Sequence, residues 1–140
     1  AARLAAGRIA EEAIRPAAAL AYYKAAAADG AKPLSDYARL LYGAALQAEG
    51  RTAEARQEIQ AALAGDLPPA TQAEAKMRLA ELASAEKNWG QTLQILRPIM
   101  KKLRGTSLYP NALYQAMRAS GGSPERCKYA RELYSKYPTH

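Results

Sequence analysis

The sequence predicts an all-α protein, and three observations carry that expectation. Phe and Val are absent from the 140 residues and Thr is sparse, so the chain lacks most of the β-branched and aromatic residues that strands favour. Ala, Leu, Glu, Arg, Lys and Gln dominate instead, and these are the strongest helix formers. Apolar residues also recur at three- and four-residue spacing along the chain. A length of 140 residues is one domain's worth of chain and can bury a substantial core.

The clearest helical pair is DYARLLYGAALQAEGRTAEARQEIQAAL, residues 36–63. Leu40, Ala44 and Ala48 follow one helical face, Gly50-Arg51-Thr52 breaks it, and Ala55, Ile59, Ala62 and Leu63 mark a second helix. Gly43 and Ala55 are small residues placed where two antiparallel helices joined by a short turn would approach most closely. Sliding this frame back by 34 residues puts Ala21 at the central alanine, Ala28 at the later small position, Pro33 at the close and Pro16 in the turn. The first helix of that pair would run over Arg3–Ile14. Sliding the frame forward needs three extra residues in the LPPATQ loop; Ala80, Ala83, Trp89 and Thr92 then take the places of Gly43, Leu46, the turn residue and Ala55. Pro98 interrupts this third pair, and an interior proline bends or splits a helix at a cost of about 3 kcal/mol. A last pair covers Tyr109–Ser120 and Pro124–Tyr137, with Ser123-Pro124-Glu125 as a helix start. The whole is one helical domain of about four pairs, with approximate units 2–33, 36–69, 73–105 and 109–138. The alternative is an irregular bundle with Ala-rich contacts.

The 36–69 unit resembles the tetratricopeptide repeat, a 34-residue helix–turn–helix. That resemblance implies a right-handed superhelix of antiparallel pairs that binds extended peptides on its concave face. First-helix positions would then meet a partner through Arg39, Tyr42, Lys76, Arg78 and Tyr114. Three stretches, PLSDYARLLYGAALQAEGRTAEA, LYPNALYQAMRAS and CKYARELYSKYPTH, look like the α-helical N-terminal region of bacterial soluble lytic transglycosylases. There a superhelix precedes a lysozyme-like catalytic domain whose Glu-Ser, Gly-Leu-Met-Gln-type and Asn-Gly-type motifs this chain lacks. The resemblance implies a periplasmic or envelope location and a non-catalytic scaffold, with a cytoplasmic location left open. The absence of an initiator Met suggests an interior fragment or a processed product.

The net charge of +7 is unevenly placed. Residues 1–96 hold eleven basic and eleven acidic side chains, so the whole excess follows. Arg97, Lys101, Lys102, Arg104, Arg118, Arg126, Lys128 and Arg131 form a candidate anion patch in that last third, where Lys136 is also basic. Such a field concentrates anions without naming one. An acidic protein, a peptide or an anionic polymer such as peptidoglycan fits it. Nucleic acid is the weaker reading, because no aromatic-interleaved or DNA-binding motif accompanies the charge.

Nothing in the sequence assembles a reacting group. The lone Cys127 and lone His140 are thirteen residues apart, roughly 20 Å along a helix, too far for a nucleophile and its base. Cys127, Ala130, Tyr134 and Tyr137 are spaced as a buried stripe, whereas Glu132 stands between Lys128 and Lys136 as on a solvated face. Glu11-Glu12, Glu54/Glu58 and Glu81/Glu86 read as surface acids rather than a glycosidase pair. No metal-ligand set, cofactor loop or membrane-spanning run of ~18 apolar residues is present. About two thirds of the nine Tyr are expected to pack between helices, leaving the rest for contact with a partner.

Overall fold

The computed structural model describes residues 16–29 and 34–139. The helix expected over Arg3–Ile14, Pro33 and His140 lie outside them. Seven α-helices and no strand occur among the described residues: α1 (Pro16–Asp29), α2 (Leu34–Ala48), α3 (Thr52–Leu63), α4 (Pro69–Ala85), α5 (Trp89–Leu103), α6 (Tyr109–Ala119) and α7 (Pro124–Lys136). The all-α class is therefore observed. Helices pack on their neighbours in the chain, α1 on α2, α2 on α3, α5 on α6 and α6 on α7. The chain divides into two compact units, one ending at Ala75 and the other beginning at Lys76.

In the first unit α2 and α3 form a hairpin whose turn is set by Gly50. Its N–H donates to the Gln47 carbonyl (3.0 Å) and the Arg51 N–H to that of Leu46 (2.9 Å), while Gly50 adopts φ +78°. This is a Schellman closure, which needs a left-handed residue and so favours glycine. Gly43 allows the close approach expected of it: a β-carbon there would lie 2.6 Å from Ile59 Cγ1 and 3.3 Å from the Ala55 carbonyl. At the open end of the hairpin Asp36 is buried (4% exposed). Its Oδ2 accepts from the Asp66 N–H at 2.9 Å, and Gly65 packs directly against its carboxylate.

The second unit repeats the turn without the glycine. The Lys87 N–H donates to Ser84 and the Asn88 N–H to Ala83, both at 2.9 Å, and Lys87 adopts φ 59°. Asn88 then caps α5, accepting from the Gln91 N–H at 3.3 Å. Thr92 is fully buried, and its hydroxyl meets the Asn88 carbonyl (3.0 Å) and the Ser84 hydroxyl (3.2 Å). A polar residue thus occupies the central small position without an unsatisfied group.

Burial recurs with a period of 36 or 37 residues, not 34. Ala19, Tyr23 and Ala26 are buried in α1, Ala55, Ile59 and Ala62 in α3, and Thr92, Leu96 and Ile99 in α5. Asp36, Ala38, Leu40, Gly43 and Leu46 in α2 match Ala73, Ala75, Met77, Ala80 and Ala83 in α4. The three-residue forward shift is therefore observed, but the backward frame is wrong. Ala21 and Ala28 are exposed, because α1 turns Ala19 and Tyr23 inward. The LPPATQ stretch is also not all loop: α4 starts at Pro69, where a missing N–H costs nothing, and Gln72 Nε2 donates back to the Leu67 carbonyl at 2.7 Å.

Two further expectations are corrected. Pro98 does not split its helix: α5 runs unbroken through it, with Pro98 exposed between buried Leu96 and Ile99. Cys127 and Tyr134 are not buried; Cys127 is exposed and Tyr134 is 58% exposed. In α7 the fully buried residue is Leu133, flanked by half-buried Tyr129, Ala130 and Tyr137. Cys127 lies roughly 120° away from Leu133 around the helix. Ser123 takes the expected N-cap position before Pro124, but its hydroxyl makes no capping hydrogen bond.

Two substitutions test these turns and crossings by urea denaturation. Gly43→Ala is expected to lower stability by about 1–3 kcal/mol through overpacking against Ile59. Lys87→Gly is expected to raise it by about 1 kcal/mol by relieving the left-handed conformation.

Candidate functional site

The basic last third folds into an open cleft of about 220 Å³ in the second unit. Its walls follow one spacing on two helices. Arg97, Met100 and Lys101 stand at i, i+3 and i+4 on α5, and Arg104 follows as the residue that caps its C-terminus; Glu125, Lys128, Tyr129 and Glu132 stand at i, i+3, i+4 and i+7 on α7. All of these except Glu125 line the cleft, and Tyr109 from the start of α6 joins them. Residues at that spacing share one helical face.

Two clusters of Arg, Glu and Tyr close the walls against each other. At one level Arg97 grips Glu125 through both Nε (3.3 Å) and Nη2 (2.8 Å), a fork geometry that fixes direction as well as distance. Tyr129 donates its hydroxyl to Glu125 Oε1 at 2.9 Å. Two helical turns on, Tyr109 donates its hydroxyl to Glu132, and the Arg104 guanidinium lies over the Tyr109 ring, 5.9 Å from its centre. Arg97 meets Glu125 directly and Arg104 is linked to Glu132 through Tyr109, the same order along both helices, so α5 and α7 run parallel at the cleft. The Tyr137 ring packs edge-on to Tyr109 at 6.2 Å.

These contacts set the local acidities. The Arg97 guanidinium, then the Tyr129 hydroxyl, holds the Glu125 carboxyl below its ordinary range. Burial, then the bond to Glu132, raises the Tyr109 phenol; burial, then the bond to Glu125, raises that of Tyr129. Both phenols therefore stay protonated and serve as donors at neutral pH. Lys101 has no ion pair or hydrogen bond among the described residues. Lys128 has none either and acts on Glu125 only through its field.

Four of the eight patch residues line the cleft: Arg97, Lys101, Arg104 and Lys128. Lys102 and Arg131 are exposed outside it, and Arg126 reaches back to the Gly121 carbonyl at 3.3 Å. Arg118 belongs to a different surface. Its guanidinium stacks on the rings of Trp89 (5.3 Å) and Tyr114 (5.6 Å), and Tyr114 is 39% exposed. Of the other residues expected to meet a partner, Tyr42 is buried and packs in the first unit. Arg39 sits 3.9 Å from Glu58 in a half-exposed pair. Lys76 and Arg78 are half-buried, and Arg78 lies near Glu81.

Sequence reading missed Glu132. It was expected on a solvated face, but it turns inward because the buried Tyr109 hydroxyl requires an acceptor. Its spacing of seven from Glu125, matching Arg97 to Arg104, was the available signal. Among the described residues no three His, Cys, Asp or Glu side chains gather as a metal set, and no helix is long and apolar enough to cross a membrane. Burial raises the Glu81 carboxyl, with Arg78 and Asn111 opposing the shift.

The Arg97–Glu125 contact gives a signed pH dependence. A depressed carboxyl contributes stability above its unfolded value of 4.5 and loses it as pH falls through the lower folded value. Urea midpoints of the wild type and Glu125→Gln should therefore differ at pH 7 and converge as pH falls below 4.5.

No protein-family model matches the chain, and comparison with the curated proteins and with the solved structures finds no match either. The likeness to tetratricopeptide and transglycosylase helical regions thus rests on the residues quoted above.

Proposed function

We propose that this chain is a helical-repeat binding module, without chemistry of its own, that docks a protein or peptide partner in the bacterial envelope. The observation that carries the proposal is the Trp89–Arg118–Tyr114 stack, in which Arg118 and Tyr114 are exposed and Trp89 is half-buried. Trp, Tyr and Arg are the residue types that dominate binding energy at protein interfaces. A cation held between two rings also presents apolar area at little cost in side-chain entropy. The 36–37-residue recurrence of burial supports a repeat architecture, and its period is longer than that of the tetratricopeptide repeat.

A second reading takes the chain as the helical region that guides cell-wall polymer to a lytic transglycosylase domain. The wording of residues 108–140 and the basic last third favour it. The two readings separate in a pair of assays with the purified chain. The binding-module reading predicts a protein captured from envelope extracts by the wild type and lost with Tyr114→Ala or Arg118→Ala, and no soluble fragments released from purified peptidoglycan. The guiding reading predicts sedimentation with peptidoglycan that falls when Lys101, Lys102 and Arg104 become Glu. Release of fragments by the chain itself would refute the absence of chemistry.

A further inference from the structure

The cleft between α5 and α7 has a charge imbalance that its own contacts do not resolve. Four cationic side chains and Glu132 line it, and Glu125 neutralises Arg97 from the rim. The cleft is left with an excess of two positive charges, and Lys101 and Lys128, one on each wall, are its cations with no ion pair, hydrogen bond or ring contact among the described residues. Both carboxylates are already engaged: Glu125 accepts from Arg97 and Tyr129 and Glu132 Oε2 from Tyr109. Both tyrosine hydroxyls are spent on those bonds, so the phenols offer ring surface rather than polar contacts. Met100 adds a polarisable apolar side chain beside them.

Size narrows the ligand further. A cleft of about 220 Å³ is smaller than the ~300–1,000 Å³ of typical drug-sized ligand sites. It accommodates an anionic head and a compact organic body, not a polymer strand. A carboxylate would neutralise one of the two open ammonium groups. A phosphate monoester carries nearly two charges at neutral pH and three acceptor oxygens, enough to meet both lysines at once.

We propose that this cleft binds a phosphomonoester dianion, its phosphoryl oxygens between Lys101 and Lys128 and its organic body against Met100, Tyr109 and Tyr129. The Arg97–Glu125 ion pair at one level and the Tyr109–Glu132 hydrogen bond at the other tie the walls together, so the lysines are presented from preorganised helices. This site goes beyond partner docking at the Trp89–Arg118–Tyr114 surface, and either can fail without the other.

Calorimetric titration of the whole chain with phenyl phosphate, inorganic phosphate and benzoate at pH 7.5 tests the site. Phenyl phosphate should bind at least about tenfold more tightly than benzoate, and more tightly than inorganic phosphate, which has no ring. Lys101→Ala and Lys128→Ala should each weaken it roughly tenfold, the loss of one charge-assisted contact, whereas the exposed control Lys102→Ala should not. Affinity should also fall as pH drops through about 6, where the dianion gains a proton. Vesicles with and without phosphatidic acid locate the group. Binding of phenyl phosphate assigns a soluble ligand; binding of the vesicles alone, lost in the same two variants, assigns the same chemistry to a lipid headgroup. Benzoate binding as tightly as phenyl phosphate, equal loss in Lys102→Ala, or preferential binding of an oligoglutamate peptide would each overturn the proposal.

Discussion

A phenol removed from water must find an acceptor, and much of the second unit follows from how Tyr109 meets that demand. Tyr109 as a whole is 3% exposed, and leaving a buried hydroxyl unpaired costs about 1–3 kcal/mol. Glu132 supplies the acceptor from α7, which sets the rotation of that helix. With Glu132 turned toward α6, Leu133 enters the core and Cys127 and Tyr134 face outward. The same rotation brings Glu125 to Arg97 and places Lys128 and Tyr129 along the cleft. The cleft is thus a consequence of one buried polar contact rather than of the basic charge that surrounds it.

The helical hairpins rest on a different constraint, the distance at which two backbones can cross. Gly43 permits it in the first unit. In the second, Ala80 holds the matching position, and Thr92 packs with its hydroxyl satisfied. Gly50 and Lys87 close the corresponding turns with the same pair of backbone hydrogen bonds. That a lysine can stand where a glycine is favoured shows how far tertiary packing overrides local preference.

Those features explain what could be read in the sequence. The helix class, the turn at Gly50, the close approach at Gly43 and the pair 109–137 follow from composition, glycine chemistry and short-range spacing, and all are observed. The first repeat frame failed because Ala-rich α1 offers several equivalent faces, and only contact with α2 selects Ala19 and Tyr23. The α7 stripe failed because apolar spacing is blind to a polar demand made by another helix. Grouping the basic residues by sequence caught Arg97, Lys101, Arg104 and Lys128 but also took in Arg118, which belongs to an aromatic stack. Six of the nine tyrosines are buried or half-buried, close to the expected two thirds, yet only the structure distinguishes the donors at the cleft from the exposed Tyr22, Tyr114 and Tyr134.

The central claim is that the Tyr109–Glu132 contact orients α7 and so builds the cleft. A double-mutant cycle of Tyr109→Phe and Glu132→Ala, read by urea unfolding at pH 7, tests it most directly. Residues in one hydrogen-bond network couple by about 0.5–3 kcal/mol, and the account predicts a coupling within that range, with each single variant destabilised. Strictly additive effects would show that the two side chains act independently, and would contradict the account.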